Sequence, residues 1–287
     1  MNHTVDFANS GDLEDLYAIW RMAFSDSDEY IGNFFKYMYK DGYALVSREL
    51  GVAVACAYLL ETQLVIKGRP FSAYYFYAAA THPNYRGRGH MAAIINEAEK
   101  LAVKRGIDFI ILVPAEKSLF GYYQRFGFET KFYKRVLSFS RDELSGLAAE
   151  PDLTDAFSLN IFETRQTALG MYDFLNWGAH DMKYAMYVHD CESGSVAFVS
   201  DGYALYNMGK DTVYVKEMCT LSDPGELFTM LLMEDEARKF TINLPVDDPL
   251  HAKEEKIVPE GMCLALGEDA RVALSSVKHA YIGITLG

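Results

Sequence analysis

A mixed α/β (α+β) fold, with a central sheet flanked by helices and built twice along the chain, is predicted by three observations. Strand-length apolar stretches alternate with amphipathic helical stretches over roughly residues 1–140. The strand, loop, helix and strand order of residues 71–113 recurs in the second half. Between the halves lies Ser145-Gly146-Leu147-Ala148-Ala149-Glu150-Pro151-Asp152, a stretch of small and turn-forming residues. The predicted domains are residues 1–145 and 150–287.

Ser10-Gly11-Asp12 reads as the cap of a helix whose apolar residues, Leu13, Leu16, Ile19, Trp20 and Phe24, follow helical spacing. A second helix is expected over about 29–39. Asp41-Gly42 ends it, with the glycine as C-terminal cap. Residues 43–48 and 52–61 read as strands around a turn at Glu49-Leu50-Gly51, and 63–66 and 71–81 continue the strand pattern past Lys67-Gly68-Arg69-Pro70. The run Tyr74, Tyr75, Phe76 and Tyr77 fits packing on both faces of a sheet better than a substrate cage.

A turn rich in glycine and arginine, 83–89, leads into a clear helix. Met91, Ile94, Ile95, Ala98, Leu101 and Ala102 share one face, and Gly106 closes it. Residues 108–113 read as a buried strand, 118–125 as a short helix ending before Gly127, and 128–139 as a strand. In the second half Gly42-Tyr43-Ala44-Leu45 recurs as Gly202-Tyr203-Ala204-Leu205. A strand at 212–220 is followed by a helix expected over 225–240 and a strand over 241–246. Duplication of one fold explains the echo; for a four-residue match chance stays open.

The 287 residues carry a net charge of −13, and 50% are hydrophobic, enough for a sizeable core. An acidic surface repels phosphate backbones, so nucleic acid is not an expected partner. The charge serves solubility or a cationic partner. Cys56, Cys191, Cys219 and Cys263 are far apart and read as buried, reduced side chains. His180, His251 and His279 are isolated, and no metal constellation is predicted. The start, Met1 to Phe7, has no signal-peptide pattern, and the longest apolar runs, 51–60 and 107–113, are strand-sized. A cytoplasmic protein without a membrane span is expected.

The chemistry centres on Arg86-Gly87-Arg88-Gly89-His90-Met91, between an apolar strand and an amphipathic helix. The glycines permit unusual dihedrals and close backbone approach to a ligand. The first helix amides have no intrahelical partners, and the dipole there favours anions. Arg86 and Arg88 add positive charge. The alternative is a plain strand-to-helix turn with solubilising arginines. A P-loop would need lysine and serine or threonine after its last glycine, where this chain has His90-Met91, and a dinucleotide fingerprint would need a third glycine.

Thr81-His82-Pro83-Asn84-Tyr85 and the cradle after it resemble the acetyl-CoA motif of the GNAT superfamily of N-acetyltransferases. The match holds at Arg86 and Gly89 and departs at Met91, where a small residue is usual. Tyr123-Gln124-Arg125-Phe126-Gly127-Phe128 resembles the tyrosine and Gly-Phe ending of the same superfamily. With Pro114-Ala115-Glu116 it is similar to the enhanced-intracellular-survival (Eis-like) branch, whose members fuse two GNAT domains, the second without a cofactor loop. Many also carry a third, sterol-carrier-like domain, which this chain is expected to lack, so a terminal-carboxylate base is not carried over.

The resemblance implies acetyl-CoA as cofactor, held by Ala80, Thr81, Arg86, Gly87, Arg88, Gly89, His90 and Met91. It implies direct acetyl transfer to a small-molecule or peptide amine. Backbone amides near Thr81 would polarise the thioester carbonyl, and Tyr123 would be the acid for the departing thiolate. Its neighbour Tyr122 is expected to diverge from the site by about 100°. His82 is a base candidate or a strand-end residue; Glu116 faces the cleft or caps the following helix. The equivalent loop of the second half, Leu221-Ser222-Asp223-Pro224-Gly225-Glu226, has acids and no arginine, so this domain is expected not to bind CoA. Rival readings are a non-catalytic CoA-binding module and an acyltransferase with another acyl donor. The acceptor and the oligomeric state are not legible.

Overall fold

The computed structural model describes residues 4–154 and 156–286. Met1, Asn2, His3 and Gly287, on which the leader and chain-end readings partly rest, lie outside the described residues.

Along the first half run β1 (Val5–Phe7), α1 (Leu13–Ala23), α2 (Asp28–Tyr37), β2 (Ala44–Glu49), β3 (Val52–Ile66), β4 (Arg69–Thr81), α3 (His90–Lys104), β5 (Phe109–Leu112), α4 (Lys117–Gln124), β6 (Glu129–Ser140) and α5 (Arg141–Ser145). Then follow α6 (Ile161–Leu169), β7 (Asp173–Asn176), α7 (Ala179–Cys191), β8 (Gly194–Val199), β9 (Gly202–Met208), β10 (Thr212–Thr220), α8 (Gly225–Leu232), β11 (Lys239–Leu244), β12 (Glu254–Ala265), α9 (Glu268–Ser275) and β13 (Ala280–Tyr281).

The chain divides into two compact units. The first holds residues 1–64, 70–130 and 261–276; the second holds 65–69, 131–260 and 277–287. In the first, strands follow the order β1-β2-β3-β4-β5-β12. Leu50 and Gly51, and again Lys67 and Gly68, take positive φ, the two-residue turn that matches the twist of a hairpin. Ile94, Ile95, Ala98 and Ala102 of α3 pack on Ala55, Ala57, Tyr74 and Phe76. Tyr75 and Tyr77 stack on the opposite face, where Tyr77 meets Trp20 and Phe34. The aromatic run thus packs on both faces.

β4 and β5 are parallel, paired from Ala73↔Phe109 to Tyr75↔Ile111 and no further. Past Tyr75 the strands part. Ala78, within β4, has φ of 45°, an unfavourable backbone conformation for a non-glycine residue.

In the second unit the order is β6-β11-β10-β9-β8, again with one parallel pair, β10 and β11. Leu227, Phe228 and Leu231 of α8 pack against Leu137, Val213, Val215, Phe240 and Ile242. A buried ion pair, Arg165 with Glu217 at 3.0 Å, is closed by the Tyr203 hydroxyl and the Ile284 amide on the carboxylate and by the carbonyls of Leu175 and Ile282 on the guanidinium.

Both units carry the same sequence of hairpin, parallel pair and crossing helix, so the fold is the tandem, mixed-sheet architecture expected. Several details differ. Residues 131–145 pack in the second unit, because β6 pairs with β11 from Ser140↔Lys239 to Arg135↔Leu244. Residues 261–276 pack in the first, because Met262 to Ala265 pair with β5. The helix expected over 225–240 ends at Leu232, where Arg141 donates to the carbonyls of Leu232, Glu234 and Ala237. The Gly-Tyr-Ala-Leu echo is out of register. Its first copy leads into β2, whereas the second opens β9, which by its place before the parallel pair corresponds to β3. The duplication lies in the element order; the four-residue match is chance. Cys56, Cys219 and Cys263 are buried as expected, but Cys191, at the end of α7, is exposed.

Candidate active site

The parting of β4 and β5 opens a cleft of about 870 Å³ in the first unit. One wall is the end of β4, Ala79, Ala80 and Thr81; another is the start of α3; a third is Leu119, Tyr122 and Tyr123 of α4, with Phe126 in the turn after the helix. The spacing i, i+3, i+4 puts the three α4 residues on one helical face.

Gly87 and Gly89 have φ of 76° and 95°, the left-handed region that glycine tolerates. Gly89 is the N-cap of α3, and no side chain caps the helix. The first turn of α3, His90, Met91 and Ala92, lines the cleft, and the amides of Met91 and Ala92 have no intrahelical partners, a ready site for an anion. A Cβ at Gly87 would meet nothing within 4 Å, so the cradle has room in front of it. Arg86 Nε donates to the Thr81 carbonyl at 3.2 Å, which ties the guanidinium to the end of β4. These residues fit a pyrophosphate.

Ala80, Thr81, Arg86, Gly87, Gly89, His90, Met91, Glu116 and Tyr123 all line this one cleft. Two other predicted residues are turned elsewhere. Arg88 bonds the Glu49 carboxylate at 3.2 Å and the Asn84 carbonyl at 3.0 Å, with its guanidinium over the Tyr85 ring. His82 caps the short turn Pro83–Tyr85, its Nδ1 accepting the Asn84 amide, and is not part of the lining. His90 contributes backbone; its ring is 1% exposed, with Nδ1 2.9 Å from the Ser47 hydroxyl and Nε2 3.4 Å from Glu49. It anchors the first turn of α3 to β2.

Tyr123 is 8% exposed, and burial, followed by the neighbouring Tyr122, pushes its phenol well above the usual tyrosine range. Its hydroxyl makes no hydrogen bond among the described residues. It is thus a protonated donor without a protein acceptor. Tyr122 also lines the cleft, against the expected divergence, because positions i+3 and i+4 of one stripe flank the same face. Burial raises its phenol too, opposed by Arg125, whose guanidinium lies 4.8 Å from its ring centroid. Glu116 occupies the N-cap position of α4 but makes no capping bond; its carboxylate accepts the Ser118 hydroxyl at 3.2 Å and faces the cleft.

Motif reasoning missed Ala23 and Phe24 and gave no site role to Tyr85 or Arg125, although both lie within the motifs; all four are part of the lining. The three consecutive alanines at 78–80 were a usable signal: small residues after an aromatic strand allow close backbone approach. Among the described residues no group of side chains could hold a metal ion, and no helix is long and apolar enough to cross a membrane.

Residues 4–131 match the family described as the acetyltransferase (GNAT) domain. No curated protein matches the chain in sequence. A GCN5-related N-acetyltransferase from Kribbella flavida is similar in structure, with TM-score 0.74, 19% identity, and coverage of 93% of this chain and 72% of that one. A GCN5-related N-acetyltransferase from Anabaena variabilis gives 0.76 at 16% identity, covering 93% and 73%. Eis1 from Mycobacterium abscessus gives 0.73 at 16%, covering 95% and 76%. At these identities the likeness is one of fold. The family match, with the cradle and cleft, assigns acyl transfer from CoA as the activity class. Residues 4–131 therefore belong to the acetyltransferase (GNAT) domain family, set in a chain whose fold is similar to that of Eis1 from Mycobacterium abscessus.

Proposed function

We propose that this chain moves an acetyl group from acetyl-CoA to an amine nitrogen by direct transfer. One observation carries the reading: the uncapped amides of α3 and the unpartnered hydroxyl of Tyr123 face the same cleft. The Met91 and Ala92 amides with Arg86 hold the pyrophosphate. Bound acetyl-CoA supplies an activated thioester. The irregular end of β4, Ala79 to Thr81, presents backbone to the thioester carbonyl.

The acceptor must be neutral to attack, so its proton leaves to Glu116 or to water. A nitrogen–carbon bond forms, the carbon–sulfur bond breaks, and Tyr123 gives its proton to the sulfur, recovering one from solvent. A thiol has an ordinary pKa of about 8.5 and a phenol about 10, so this transfer is uphill and needs contact in the transition state. Residues 1–145 form the catalytic domain in this reading, and 150–287 a degenerate GNAT domain without a cofactor loop. In the second domain Asp223 Oδ1 accepts the first amide of α8, at Gly225, at 2.9 Å, which supports that assignment.

The test is thiol release from acetyl-CoA across a panel of small amines and peptides, beside calorimetric binding of CoA. Ala92→Asp adds a carboxylate to the first turn of α3, where helices accept acids, so the protein stays folded. The variant should bind CoA at least about 100-fold more weakly, since two like charges would share one desolvated site. Unchanged affinity would remove the cradle assignment. CoA binding without thiol release from any acceptor would instead favour the non-catalytic module, and release only from other acyl-CoA esters would favour a different donor.

A further inference from the structure

The second unit keeps the architecture of the donor cleft with its electrostatics reversed. β10 and β11 pair in parallel from Thr212↔Lys239 to Val215↔Ile242, then part toward Thr220, as β4 and β5 part toward Thr81. The gap is a cavity of about 490 Å³, in the size range that holds small organic ligands. Leu169, Met218, Phe228 and Leu244 give it apolar walls.

The place an anion would take at the N-terminus of α8 is filled by the chain's own Asp223 carboxylate. A second carboxylate in the lining, Asp248, accepts the Leu250 amide at 2.9 Å and the Tyr172 hydroxyl at 3.3 Å. Both acids are thus held by neutral donors. Arg135 donates to the carbonyls of Asp248 and Leu250 from outside the lining, and among the described residues no lysine, arginine or histidine lines the cavity. A largely apolar cavity whose charged side chains, among the described residues, are Asp223 and Asp248 selects against phosphates and fatty acids and in favour of a cation.

We propose that this cavity is a binding site for an organic cation with an apolar body, a primary alkylammonium ion. Its hydrocarbon lies against Met218, Phe228 and Leu244, and Asp248 and Asp223 supply the counter-charge. The site is separate from the donor cleft and does not depend on the transferase reading: it would bind its ligand whether or not acetyl transfer occurs.

The methionines report on the two clefts separately. Met171 and Met218 line this cavity, and Met91 lines the donor cleft. The experiment follows assigned methyl resonances of the full chain, labelled at methionine, during titration with hexylammonium, hexanol and hexanoate. Hexylammonium should move Met171 and Met218 saturably. Hexanol, without the ion pair, should bind about tenfold more weakly, and hexanoate more weakly still. Asp248→Asn should cost about tenfold. Ala168→Phe, which fills the cavity from α6, should abolish the response. In each variant a Met91 shift with CoA reports an intact first unit, and a native thermal transition reports the second.

A failure of Met171 and Met218 to respond to hexylammonium, or an equal response to hexanoate, overturns the proposal. So does a response that survives in a folded Ala168→Phe protein. If that variant does not fold, the three-ligand comparison on the unaltered chain decides. A hexylammonium shift confined to Met91 would mean that amines enter only the donor cleft, and it overturns the proposal equally.

Discussion

The hydroxyls of Tyr122 and Tyr123 share one cleft but differ in surroundings, and that difference makes a kinetic prediction. Tyr123 is the more buried and lacks a hydrogen-bond partner, whereas Tyr122 is half-buried beneath Arg125. Tyr123→Phe keeps the ring, so CoA affinity should hold. Loss of a proton donor in the transition state should lower kcat by about 10²–10⁴-fold, with kcat/KM falling in step. Tyr122→Phe should be nearly silent; the reverse pattern in steady-state kinetics would move the acid to Tyr122. The pH profile gives a second check. Burial raises the Tyr123 phenol above its ordinary value of 10.0, so the acid stays protonated across neutral and mildly alkaline pH. Activity should rise with pH as the acceptor amine loses its proton, and no descending limb should appear below pH ~10. A descending limb near pH 8 that Tyr123→Phe leaves in place would point to another acid. At this scale the cradle was legible because positive φ demands glycine and an anion demands free amides. The partners of Arg88 and His90 were not, because Ser47 and Glu49 reach them from β2, and no local pattern announces a contact across a fold.

Helices begin and end where their exposed backbone groups find partners, and two examples show which of those partners a sequence displays. The Ser10-Gly11-Asp12 signal forms a short turn that leads into α1, and Asn9 caps that turn: its side chain accepts the Gly11 amide while the Asp12 carboxylate accepts the Asn9 amide; Asp12 stands at the N-cap position of α1 without a capping bond. Asp12 itself is buried and also bonds the Arg48 guanidinium, which ties the α1 entrance to β2. The end of α8 is not legible in the sequence because apolar periodicity runs on past Leu232, while the group that terminates the helix, Arg141, comes from α5. The Asp12 link has a pH signature. The hydrogen bond from Arg48 is the main cause holding this carboxyl below its ordinary 3.8. A carboxylate with a depressed folded-state value adds stability above its unfolded value and loses it as pH falls through the folded one. The chain should therefore lose stability below about pH 4 partly through Asp12. Asp12→Asn should cost about 2 kcal/mol at pH 7, the weight of a charge-assisted hydrogen bond, and shrink that acid-induced loss. Chemical denaturation at pH 7 and at pH 3 measures both quantities; an equal deficit at the two values would show that the charge on Asp12 contributes nothing.

On the scale of the whole chain the legible boundary and the physical one differ, and the difference can be measured. Residues 145–152 look like a linker because they are small, polar and turn-prone, which is all that composition can report. Which strand completes which sheet is a long-range matter. β6, encoded before that stretch, gives the second unit its place beside β11, and the end of β12, encoded after it, gives the first unit its place beside β5. Cutting at residue 150 would therefore damage both units. The first fragment loses Met262 and Cys263 from its core; the second loses Leu137 and Phe139. Each large buried side chain is worth about 1.5–3 kcal/mol, and the strand's backbone pairing goes with it. Against a total stability of about 5–15 kcal/mol, losses of that size leave little margin. Fragments 1–145 and 150–287, expressed singly, should be insoluble or lack a cooperative thermal transition, since each exposes an unpaired sheet edge and apolar core. Expressed together, they should assemble and recover CoA binding. A fragment moved to the structural division, from residue 131 onward, keeps β6 and should fold better than one starting at 150. Circular dichroism melts of the three fragments decide it. A soluble 1–145 fragment with a sharp transition and wild-type CoA affinity would show that β12 is dispensable and that the linker, after all, marks the folding boundary.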